Sequence, residues 1–205
     1  MLVTAEILLV IVSPLMVLYL QANWRLRSTI TCLSVIPVLW YLTFAPIHEL
    51  SHVAGTYLAG GTVVDYKLIP RFWAGEFAIA WITPVGLTGP LRNLVMSSAP
   101  YVTDLACIVA GMRILRRRLS ANAFVVGFVF MLLCLRPAFD FVCESVAYVN
   151  GFRNDLYNIQ AIVGAPTLWS FVVTSLGLSV LAIVTIVRRY AAFPDPQLPT
   201  SGNRI

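Results

Sequence analysis

Long apolar runs alternate with short basic or irregular breaks along this chain, and the breaks predict where each element ends. A first run covers residues 2–20 and stops before Arg25 and Arg27. A second covers 29–58 and is closed by Gly60-Gly61, a pair that ends helices. Residues Thr62 to Pro90 differ in character. Their β-branched and aromatic residues alternate loosely with Asp65, Lys67, Arg71 and Glu76, among Gly and Pro, which predicts short strands and loops at the membrane edge. Further apolar runs cover 93–115, ending at Arg116 to Arg118, then 121–139, and then 166–187, ending at Arg188 and Arg189. Pro166 suits the first turn of that last helix. Between the fourth and fifth runs lies a polar stretch from Glu144 to Gln160.

Each apolar run is long enough to cross about 30 Å of hydrocarbon as a helix. The pattern therefore predicts an all-α polytopic membrane protein with about five transmembrane helices and one short β-leaning or re-entrant segment after the second. Residues 1–190 form a single membrane-embedded domain in this reading, and the Pro-bearing tail 191–205 is expected to be disordered. The first run has no basic stretch ahead of it, so it reads as an uncleaved anchor. Alternating spans put all three arginine clusters on one side, which the positive-inside rule makes the cytoplasm.

Composition agrees. The 205 residues are 59% hydrophobic and only 11% charged, where soluble domains run near a quarter charged. The net charge of +5 comes with arginines clustered beside apolar runs, so it serves topology and no nucleic-acid partner is implied. Cys32, Cys107, Cys134 and Cys143 show no metal-ligand spacing and read as small packing residues.

Chemistry enters at one place. The chain has two histidines, and both lie in His48-Glu49-Leu50-Ser51-His52, within the second apolar run. His-Glu-x-x-His on a helix sets two imidazoles one turn apart on one face, with a carboxylate beside them, as a zinc hydrolase requires. Ionisable groups at bilayer depth are costly and point to function. His48 and His52 are the expected metal ligands. Glu49, about 100° away around the helix, is the expected general base for the attacking water.

A third ligand must come from Asp or Glu, because no histidine remains. Asp155 follows Asn154 at the head of a helical-looking segment. Asp140 ends the fourth run, and Glu144 lies one turn beyond. Pairing with Arg136 one turn earlier is an adequate structural account of Asp140, so Asp155 is favoured, with Asn154 orienting it or meeting a substrate carbonyl. Asp65 and Glu76 read as solvated, and Asp104 as lying deeper, nearer the arginine-rich side.

HELSH in an apolar helix, the Gly-Gly stop and the β-leaning stretch from Thr62 to Leu68 resemble the site-2 protease family of intramembrane zinc metalloproteases. Asn154-Asp155, the Gly164-Ala165-Pro166 turn and Trp169 resemble one branch of it, so the likeness runs from about Phe44 to Trp169. The Asn-Pro and Leu-Asp-Gly pattern usual in the family has no counterpart, since this chain contains no Asp-Gly. The resemblance implies a Zn2+ cofactor, ligands His48, His52 and Asp155, and hydrolysis of transmembrane or membrane-proximal peptide bonds of a membrane protein substrate. Control of access then falls to a regulatory membrane partner, a second copy of the chain, or the lipid bilayer. The competing expectation is a non-catalytic homologue or metal-binding membrane partner, for which Glu49 would have no use.

Overall fold

In the computed structural model, residues 26–69, 71, 74, 80–116 and 123–191 are described. The expected span at 2–20 and the tail beyond Ala191 lie outside them. Helix α1 runs from Leu26 to Leu58 with Pro37 and Pro46 inside it. It stops where the Gly-Gly pair predicts. Gly60 turns left-handed at φ +78°, and the Gly61 amide donates back to the Thr56 carbonyl at 2.9 Å. The chain then forms an antiparallel hairpin of β1 (Thr62–Lys67) and β2 (Trp81–Val85), with Thr62 opposite Val85 and Lys67 opposite Trp81.

Helix α2 spans Pro90–Arg116, with Pro90 at a first-turn position where a missing N–H costs nothing. One long helical rod follows: α3 (Ala123–Phe130), a π-helical turn (Met131–Leu135) and α4 (Arg136–Val149). Gly151, at φ +80°, reverses the chain. Short helix α5 (Asp155–Val163) and long helix α6 (Ala165–Ala191) complete the described fold, with Gly164 at φ +82° between them.

Among the described residues, three helical stretches are long and apolar enough to cross a membrane: Pro90–Arg116, Val125–Val149 and Ala165–Arg189. The second corrects the expected end of the fourth apolar run at residue 139, because the helix continues ten residues further, to Val149. Asp140 is buried and Glu144 partly so. Polar residues on an inward face do not end a helix; they only make its sequence look like a loop.

Two apolar clusters hold the elements together. Trp40, Phe130, Met131, Cys134 and Phe139 anchor one, where the Trp40 and Phe139 rings sit 5.4 Å apart. Tyr101, Phe141, Leu156, Ile159 and Leu168 anchor the other, with Tyr101 and Phe141 rings 5.5 Å apart. Asp140 falls between Phe139 and Phe141, so α4 carries a carboxylate between the two clusters. Among the described residues, small side chains permit two close approaches between helical segments. A Cβ on Gly55 would lie 2.6 Å from the Ala99 Cβ, where α1 meets α2. A Cβ on Gly111 would lie 2.7 Å from Cys134 Sγ, where α2 presses on the π turn. That turn adds a residue to one helical turn, which rotates everything after it. Arg136 and Asp140 then point inward.

Candidate metal centre

Helical spacing places His48 and His52 on one face of α1, ring centroids 4.9 Å apart and Nε2 atoms 3.2 Å apart. Each ring is held from behind. His48 Nδ1 lies 2.7 Å from Asp140 Oδ2 on α4, and His52 Nδ1 lies 3.0 Å from the Met96 carbonyl oxygen on α2. Both partners are acceptors, so each Nδ1 carries the hydrogen and donates it, which leaves each Nε2 with a lone pair facing inward. The close approach at Gly55 brings α2 near enough for the Met96 carbonyl to reach His52.

Asp155 enters from α5. Its carboxylate Oδ2 is 2.8 Å from His52 Nε2 and 3.4 Å from His48 Nε2. Asn154 fixes it there in two ways. Its Oδ1 accepts from the Tyr157 amide at 3.2 Å, capping α5, and its Nδ2 donates to the Glu144 carbonyl at 2.7 Å, tying α5 to α4. Leu156 and Ile159 seat α5 in the second apolar cluster.

These ligand atoms of His48, His52 and Asp155 all lie within 4.8 Å of one another. Tetrahedral zinc with bonds near 2.0–2.2 Å needs neighbouring ligand atoms about 3.3 Å apart. Separations of 3.2, 2.8 and 3.4 Å therefore fit a metal after slight spreading. Donor chemistry points the same way, because two imidazole lone pairs and a carboxylate converge and a shared cation satisfies all three.

The other carboxylates separate clearly. Asp140 bonds His48 on the side away from the cluster. Its expected pairing with Arg136 is corrected: Arg136 Nη2 donates to Asp104 Oδ1 at 2.5 Å instead, across to α2. Glu144 stays outside the cluster and accepts from the Tyr101 hydroxyl at 3.3 Å. Asp65 is exposed on β1, and Glu76 lies outside the described residues. Glu49 is 9% exposed and lines a cavity of about 460 Å³ together with the cluster, Trp81 and Pro84 of β2, and Glu144. The Met96 carbonyl escapes sequence reasoning because any residue type supplies one. Gly55, three residues after His52, is the one signal that a neighbouring backbone approaches there.

No family model matches this chain, and neither a curated protein nor a solved structure matches it.

Proposed function

We propose that this chain is a polytopic integral membrane zinc metalloprotease of the site-2 type, which hydrolyses peptide bonds of membrane protein substrates in or near the bilayer. The observation that carries the reading is the convergence of two histidine Nε2 atoms and the Asp155 carboxylate beside Glu49, in one cavity of a chain rich in long apolar helices. In this reading α1 and the run at 2–20 join the three apolar helices as spans. The arginine clusters face the cytoplasm, and the metal lies in the opposite half of the bilayer.

Zinc held by His48, His52 and Asp155 would supply a Lewis acid and would lower the pKa of water to about 7. The protein does the rest. Asp140 and the Met96 carbonyl keep both rings in the tautomer that presents Nε2. Glu49 takes the proton of the attacking water and passes it to the leaving amine. Asn154 holds Asp155, and its second amide hydrogen is available to a substrate carbonyl. Trp81, Ile82 and Pro84 of β2 line the cavity, so an unwound substrate backbone can lie along this short hairpin beside the metal.

The test is Glu49→Gln in liposomes, assayed on a library of labelled single-span peptides whose helices are interrupted by Gly or Pro. Cleavage should fall by roughly 10²–10⁴-fold, the usual contribution of a general base, with zinc retained. Equal cleavage by both proteins would defeat the proposal.

A further inference from the structure

The polar chain behind His48 does not end at Asp140. Asp104 on α2 is 1% exposed, and it packs against the inward face of α4 that carries Arg136 and, one turn on, Asp140. Arg136, with no exposed surface at all, grips the far side of Asp104 through Nη2 at 2.5 Å. The partly buried His48 and the buried Asp140, Asp104 and Arg136 thus form one polar line leading away from the metal cluster.

As a stabilising ion pair this arrangement is poor. Nε and Nη1 of Arg136, and Oδ2 of Asp104, have no hydrogen-bond partner of normal geometry among the described residues. A buried pair left half satisfied is worse for stability than apolar residues of the same size. Something other than stability accounts for it. Asp140 must aim one oxygen at His48 Nδ1 while a second carboxyl packs against the same face of α4. Holding Asp104 by its Oδ1 fixes where that neighbour sits and so limits the rotamers open to Asp140. The π turn immediately before Arg136 brings Arg136 and Asp140 onto the inward face together.

We propose that Arg136, acting through Asp104 and Asp140, is a positioning residue for His48 and thereby sets the affinity of the metal centre. The inference rests on the metalloprotease reading for the identity of the metal, but its readout is metal binding and not cleavage.

The experiment uses the full-length protein in detergent. Zinc affinity is measured by competition with a chelator, Co2+ absorption reports ligand geometry, and thermal unfolding is followed in parallel. R136M should bind zinc measurably more weakly, by no more than the roughly 10–100-fold expected for weakening Asp140, the direct partner of His48, with a shifted Co2+ spectrum. R136K, which keeps a cation within reach of Asp104, should recover most of that loss. The double variant D104L/R136M removes both charges, so its thermal stability should return while its zinc affinity stays low. It decides the matter if R136M alone does not fold. Wild-type affinity and spectrum in R136M, or full recovery of affinity in D104L/R136M, would overturn the inference and leave the metalloprotease reading standing. A wild-type protein that binds no zinc would overturn both.

Discussion

Replacing Gly55 by Ala adds one methyl at the tightest contact between α1 and α2. That methyl would lie 2.6 Å from the Ala99 Cβ and 3.1 Å from both the Met96 Cα and the Val95 carbonyl oxygen. Carbon atoms prefer separations near 3.5–4.0 Å, so the helices must part by about 1 Å. No flexible side chain is available to yield, because the neighbours are backbone and a methyl. Overpacking of this kind costs about 1–3 kcal/mol. The displaced segment also carries the Met96 carbonyl, now 3.0 Å from His52 Nδ1, and a shift of about 1 Å takes it beyond hydrogen-bonding distance. Gly55→Ala should therefore lower the thermal midpoint and weaken zinc binding together, as read by unfolding in detergent and chelator competition. Adding Ala99→Gly removes the nearest clash and should restore part of both. A Gly55→Ala protein as stable and as tight for zinc as the wild type would refute the packing argument.

Three further outcomes follow from the same geometry. Asp140→Asn keeps the shape but weakens the acceptor for His48, so zinc affinity should drop about 10–100-fold, or about 1.4–2.7 kcal/mol; unchanged affinity would assign Asp140 to packing alone. Asn154→Ala removes the cap of α5 and should cost about 1 kcal/mol, whereas Asn154→Asp keeps the cap and loses only the bond to the Glu144 carbonyl. Thermal melts that rank the two variants in the opposite order would contradict this division of roles. Zinc retention should fall on acidification, because a histidine ligates only through an unprotonated ring nitrogen. A chelator titration that gives the same affinity at pH 5.5 and 7.5 would exclude histidine ligation.

The His-Glu-x-x-His face, the Gly-Gly stop and the hairpin after it were legible because each is a local property, set by residues within one or two turns of one another. The third member of the cluster was harder. Sequence position reports depth along a helix but not the direction around it, so Asp155, Asp140 and Glu144 were rivals. Direction around α4 depends on the π turn at Met131–Leu135, and nothing in five apolar residues announces an extra residue per turn. Arg136 illustrates the same limit. Its spacing to Asp140 suits an ion pair along the helix, yet Asp104 across the interface takes the guanidinium, because tertiary proximity outweighs local spacing. The end of the fourth apolar run was misjudged because Asp140 and Glu144 face inward, where one-dimensional hydropathy reads them as exposed.

Metal content per chain tests the central claim most directly. Protein purified from membranes without added metal and analysed by mass spectrometry of the elements should carry about one zinc per chain. The His48→Ala and Asp155→Ala variants should carry close to none, while Glu49→Gln should match the wild type. Zinc retained in Asp155→Ala, or iron in place of zinc in the wild type, would contradict the account.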